Sequence, residues 1–160
     1  MRDHQRRIPM PNTAAIAGLI TIVSATSAFA ADLIEKTSPH AVGYTIDRLE
    51  AAVTGAGATV FARVDHAAGA ASVDLELAPS QLLIFGNPKL GTPAMQGGAT
   101  AGLDLPLRVL AYEDNAGVVH VVYHDPATLA ATHGLPADAK YIQMMTGALD
   151  KLTDKAVAAQ

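Results

Sequence analysis

The chain has six histidines, no cysteine and no tryptophan, so nucleophilic or metal chemistry must rest on hydroxyls, carboxylates, imidazoles and thioethers. Asp65-His66 invites a general-base reading. Side chains adjacent in sequence point apart on a strand or a helix, however, so this aspartate cannot simply orient that imidazole. A helix cap suits Asp65 better, and an ordinary surface or core position suits His66. His120 and His124 fall on one face of a strand with Val122 between them. At about 3.3 Å per residue their Cα atoms lie roughly 13 Å apart, too far for two ligands near 2 Å from one ion unless the strand bends at Tyr123. His40, His66 or His133 could join one of them in space, and Met95, Met144 or Met145 would suit an exported copper site. Ser38, Ser72 and Ser80 lack the context of a nucleophile elbow. Glu113-Asp114 opens a turn, and Asp74 and Glu76 read as a solvated strand face. No catalytic residue, no cofactor and no metal-ligand set is assigned from the sequence.

The stretch LLIFGNPKLGTPAM, Leu82 to Met95, carries a second possibility. Gly86 and Gly91 are spaced like the first two glycines of a Walker A loop, but Thr92 stands where its lysine should be and Pro93 where its hydroxyl should bind magnesium. Nucleotide hydrolysis is thereby strongly disfavoured as a reading. Two readings remain: a turn after a strand, or a small anion pocket made by Asn87, Lys89, Thr92 and backbone N–H groups at the strand end. Asp65, His66, Asn87, Lys89 and Thr92 are the candidate ligand-binding residues.

These residues must be positioned by local structure. Ser38-Pro39 reads as a cap followed by proline at the first helical position, and Val42, Ile46, Leu49, Val53 and Ala56 then recur at helical spacing up to Gly57. Thr59 to Val64 reads as a half-buried strand, with Val60, Ala62 and Val64 on one face. Asp65 caps a short alanine-rich helix, and Val73 to Leu77 alternates like a strand with one wet face. Gln81 to Phe85 is almost wholly apolar and reads as a central strand buried on both sides or nearly so. Thr92-Pro93 reads as the cap of a short helix that Gly97-Gly98 breaks. Leu107 to Glu113 and Val118 to Tyr123 flank Asp114-Asn115-Ala116-Gly117 as a β-hairpin. Asp125-Pro126 starts a helix over Ala127 to His133, and a last helix from about 138 to 155 places Tyr141, Met145, Ala148 and Leu152 on its apolar face. This order of elements predicts an α+β two-layer sandwich, with a mainly antiparallel sheet and helices packed on one face.

Residues 1–30 read as a secretory signal peptide: Arg2, Arg6 and Arg7 make a basic start, Ala14 to Val23 an apolar run, and Ala28-Phe29-Ala30 a cleavage site. The ordinary secretory route is favoured over a twin-arginine one, because Ile8-Pro9 follows the arginine pair where a bulkier apolar pair is usual. Cleavage near Ala30-Ala31 would leave residues 31–160 as a single periplasmic or secreted domain with no stable membrane insertion. That remainder carries 8 basic and 14 acidic side chains, for a formal charge of −6. Nucleic acid and anionic lipid are poor partners for such a surface. Without cysteine, its stability in an oxidising compartment rests on packing alone.

Three segments in order, Val60-Phe61-Ala62-Arg63-Val64-Asp65-His66, then Leu83-Ile84-Phe85-Gly86-Asn87-Pro88-Lys89, then Leu103-Asp104-Leu105-Pro106-Leu107, resemble the domain of unknown function 302 (DUF302) family, over a core of residues 38–134. The resemblance implies a compact α/β sandwich that is often a homodimer. It supplies no reaction and no cofactor, so no catalytic residue is carried across. The functional expectation is an exported, soluble, homodimeric domain that binds a small ligand, such as a small anion, or a partner, without catalysis. The alternatives are a periplasmic copper or zinc protein using histidine and methionine, and an enzyme of unknown class.

Overall fold

The computed structural model describes residues 33–159; the expected signal segment lies outside them. Five strands form one sheet in the order β1-β5-β4-β3-β2, with every neighbouring pair antiparallel. The strands are β1 (Leu33–Ser38), β2 (Thr59–Asp65), β3 (Ser80–Gly86), β4 (Leu107–Glu113) and β5 (Val119–His124). Helices α1 (Val42–Gly55) and α5 (Lys140–Val157) lie side by side across one face. The expected two-layer α+β sandwich is the observed one.

Alternation decides which face is which. Leu83 and Phe85 of β3, Val109 and Ala111 of β4, and Val121 and Tyr123 of β5 are buried against Ile46, Leu49 and Val53 of α1 and Leu149 and Leu152 of α5. Their neighbours in sequence point to the opposite face. There the strand register sets Val64, Leu82, Leu110 and Val122 in one row across four strands. A smaller second core joins Ala94, Ala101, Leu129, Leu135, Ile142 and Met145. It packs α3 (Pro88–Gly97), the short 3-10 turn Ala99–Leu103 and α4 (Ala127–His133) onto α5 at one end of the sheet.

Several local expectations are corrected. Ser38 does not cap a helix: it ends β1, an edge strand that the sequence reading passed over, and α1 starts after Ala41. The Ser38 hydroxyl instead shares a buried 2.7 Å hydrogen bond with Thr45 Oγ1. Val73 to Leu77 is not a strand. Its alternation has no sheet to face, Val73, Leu75 and Leu77 are exposed, and Asp74 takes a positive φ of 57°. In β2 a bulge at Phe61 interrupts the two-residue period, so Val60 faces the helices while Ala62 and Val64 pair with Ile84 and Leu82 on the other side. In α5 the buried stripe is Ile142, Met145, Leu149, Leu152 and Ala156, with Tyr141 and Ala148 on its flanks. Finally, α3 begins at Pro88 under an Asn87 cap and contains Pro93, so Thr92-Pro93 is helix interior and not a cap.

The hairpin, the helix over Ala127 to His133 and the Asp65 cap stand where they were expected. Asp65 Oδ1 accepts the Ala68 N–H at 2.9 Å to start α2 (His66–Ala71), and Asp125 Oδ1 accepts the Ala127 N–H at 2.9 Å.

Candidate functional site

The interior strand β3 runs out at Gly86 beside a cleft of about 400 Å³. Phe61, thrust out by the bulge in β2, forms one wall with Pro106. A Cβ at Gly86 would sit 3.3 Å from Pro106 Cβ and 3.6 Å from Phe61 Cε2, so glycine lets both close over the strand end. Pro88, Leu90, Gly91 and Met95 of α3 form the facing wall, and Leu105, Leu107 and Met145 complete the lining. At Gly91 a Cβ would meet only Leu105 Cδ1, at 3.9 Å. The two glycines that mimic a Walker spacing therefore make room for an apolar cavity.

Asn87 and Thr92 are the polar members of the lining. Asn87 Oδ1 accepts the Lys89 backbone N–H at 2.9 Å and fixes the start of α3. Among the described residues no ionised side chain lines the cleft, so a buried charge there would go uncompensated by them at a cost of several kcal/mol. Of the five candidates from sequence, the structure brings Asn87 and Thr92 together. Lys89 sits in the first turn of α3 without lining the cleft, and Asp65 and His66 lie where β2 meets α2. Asp65 is occupied structurally: besides the cap, Oδ2 accepts from Gln81 Nε2 at 3.0 Å, and these hydrogen bonds, the Ala68 N–H first, hold its carboxyl below the usual aspartate range.

Polar clusters elsewhere emerged only in three dimensions. His120 sits between two carboxylates, with Nδ1 2.6 Å from Glu35 Oε1 and Nε2 3.1 Å from Asp114 Oδ2, and its ring stacks on Tyr112 at 5.1 Å. The carboxylates flank opposite ring nitrogens and so do not converge on one point. Among the described residues no group of three His, Asp or Glu side chains is placed to hold a metal ion. His124 lines a second crevice, of about 240 Å³, with Asp104, Arg108 and Thr128. His133 is bracketed by Thr100 and Asp104. Neither bracket could be read from spacing, because the partners lie 85 and 29 residues away in the chain.

The His120 cluster predicts a pH dependence of stability. The Asp114 hydrogen bond, helped by Glu35, raises the His120 pKa against the opposing effect of desolvation. Asp114 is lowered, first by the Val118 N–H and then by His120. The histidine's contribution is therefore complete below its ordinary 6.5 and is lost as pH rises through the higher folded value. The aspartate's is complete above its ordinary 3.8 and is lost as pH falls through the lower folded value. Urea unfolding should show greater stability at about pH 5.5 than at about pH 8.5, with the difference reduced in His120→Gln. An unchanged difference in that variant would assign the effect to other groups.

The fold and the cleft define a two-layer α+β sandwich with an apolar pocket at the end of an interior strand, backed by β3 and roofed by α3. The chain belongs to the family described as domain of unknown function DUF302, whose model matches residues 34–152. It is similar to a solved structure of an uncharacterized conserved DUF302 protein from Bacillus stearothermophilus, with a TM-score of 0.71 at 20% identity, over 79% of this chain and 99% of that one. That likeness bears on the fold. Among curated proteins it is 48% identical over 117 residues to the fluoride-specific ion channel FluC 1 of Brucella suis biovar 1 (strain 1330), and equally to FluC 1 of Brucella abortus biovar 1 (strain 9-941). The matched segment is 72% of this chain but only 46% and 43% of those proteins, so the chain spans less than half the length of these relatives.

Proposed function

We propose that this chain is a binding domain that takes a small ligand with an apolar body in the cleft between Phe61, α3 and Leu105-Pro106. The carrying observation is the lining itself: about 400 Å³ enclosed by Phe61, Leu90, Met95, Leu105, Pro106 and Met145, with Asn87 and Thr92 as its polar groups. A cavity of this size suits a ring or short chain, which a few polar groups then orient. An anionic end group belongs outside the lining, on the side of Lys89 and the start of α3.

A thermal-shift screen of small aromatic and short-chain acids, beside their neutral analogues, tests the reading. Binders should raise Tm in the native chain, and Gly91→Leu should abolish the shift while keeping the fold, because a Cβ there has only Leu105 Cδ1 within 4 Å and the longer side chain would occupy the cleft that Gly91 lines. An unaltered shift in Gly91→Leu would place the ligand elsewhere.

We further propose that the domain is exported after removal of the first thirty residues and acts as a homodimer. The sequence of that segment supports export. The apolar row Val64-Leu82-Leu110-Val122 on the face away from the helices supports pairing of two sheets. Sedimentation over a concentration series reads the dimer, and a monomer at every concentration removes it.

The likeness to proteins named as fluoride channels favours a second reading, in which such a domain serves beside a membrane channel and its ligand is a small anion. Sodium fluoride and sodium chloride in the same screen separate the two: a fluoride-specific shift that survives Gly91→Leu supports the second.

A further inference from the structure

We propose that Thr100 is a nucleophilic hydroxyl, with His133 as its general base and Asp104 as the residue that positions this base, and that it accepts acyl groups from activated esters of small acids. His133 Nε2 lies 2.8 Å from Asp104 Oδ2, and Nδ1 lies 3.0 Å from Thr100 Oγ1. An ionised carboxylate offers only acceptors, so the hydrogen of the first contact belongs to Nε2. In the neutral imidazole Nδ1 is then the acceptor, and the Thr100 O–H donates to it. Nucleophile, base and orienting acid thus stand in the relation that acyl-transfer triads use, with the two ring nitrogens exchanged relative to the serine-protease arrangement.

Exposure is divided as such a site requires. The His133 side chain is only 4% exposed, whereas Thr100 is open to solvent and an electrophile can reach it. Asp104 is steadied from the other side by Arg108, whose Nη2 donates to Oδ1 at 3.1 Å. The backbone is shaped to the same end. A Cβ at residue 98 would fall 2.8 Å from the His133 carbonyl oxygen, so Gly98 lets the turn bearing Thr100 lie against the end of α4. Gly134, at φ 66°, ends that helix immediately after the histidine.

In the step itself the Thr100 oxygen bonds to the acyl carbon while its proton passes to Nδ1. The ester C–O bond breaks, and the imidazolium returns the proton to the departing oxygen. Water, deprotonated by the same nitrogen, later releases the acid and restores the hydroxyl. Thr100 stands on an open turn and carries a methyl beside its hydroxyl, which favours the smallest acyl groups.

The test is intact-mass analysis of the chain treated with p-nitrophenyl acetate, followed by peptide mapping. One acetyl group should appear on Thr100. Thr100→Val should remove it and Thr100→Ser should keep it, both at an exposed position that leaves the fold alone. His133→Gln should slow labelling roughly a hundredfold. Asp104→Asn should slow it as well, and Asp104→Glu should restore part of the rate. Labelling confined to lysines, labelling of Thr100→Val at the native rate, or native-rate labelling of His133→Gln would each overturn the assignment. The cleft reading does not share this outcome, since Gly91→Leu should label normally.

Discussion

Leu83→Ala is expected to lower the unfolding free energy by about 2–5 kcal/mol, while Leu82→Ala, one residue earlier, should cost about 1 kcal/mol. The two side chains are chemically identical and share one strand. Leu83 is fully buried, beneath α1 in the main core, whereas Leu82 lies on the face away from the helices and is only half-buried. Truncating Leu83 removes its transfer free energy and leaves a void walled by Val109, Ile46 and neighbours that rigid helices cannot readily fill. At Leu82 solvent or flexible neighbours take up the space. Urea midpoints at unchanged m-value measure both losses, and each kcal/mol should appear as about 3–5 °C in Tm for a domain of this size. The comparison also reads the dimer. If a second sheet covers the row Val64-Leu82-Leu110-Val122, the cost of Leu82→Ala should grow with protein concentration toward that of Leu83→Ala. Equal losses at the lowest concentration would mean that the sheet is covered on both sides within one chain.

The same strand shows what was legible in the sequence and why. Gln81 to Phe85 has so few polar residues that its central place in the sheet followed from composition, although only the Leu83-Phe85 face is buried and the Leu82-Ile84 face is half-buried, and Asp114 to Gly117 announces a reversal through local turn chemistry. Such features are decided within a few residues. Val73 to Leu77 has an equally regular alternation and is no strand, because pairing needs a partner edge that the fold does not bring there. β1 escaped for the opposite reason: Leu33 to Ser38 follows the signal-like segment directly, carries Glu35 and Lys36, and gains its meaning from β5, some 85 residues on. The cleft was half legible. Asn87 and Thr92, singled out because the open end of a strand is a common place for a pocket, do line it. Its apolar lining was not legible, since Phe61 enters through a bulge, Leu105 and Pro106 through a loop, and Met145 from a helix near the other end of the chain. The Thr100-His133-Asp104 cluster was illegible outright, because nothing in the spacing of a threonine, an aspartate and a distant histidine distinguishes it from chance.

Glycine substitutions carry the other large effect, and their sign should reverse from place to place. Gly98→Ala is expected to destabilise the chain by about 1–3 kcal/mol. Its new methyl would stand 2.8 Å from the His133 carbonyl oxygen and 3.0 Å from Leu135 Cδ2. The leucine can turn aside, but the carbonyl is fixed by the end of α4, so the 3-10 turn must move away from it. That movement separates Thr100 from His133 and loosens Ala101 and Leu135 in the second core, so lost stability and slowed acetylation should appear together. Gly147→Ala is the counterpart. Residue 147 lies within α5, a Cβ there would meet nothing within 4 Å, and alanine removes the backbone freedom that a helical glycine gives up on folding. It should therefore stabilise the chain by about 0.5–1 kcal/mol. Paired thermal melts decide the matter: a fall for residue 98 beside a rise for residue 147 is the expected pattern. Equal shifts would mean that backbone entropy alone governs both, and that the close approach of the Thr100 turn to α4 is not required by the fold.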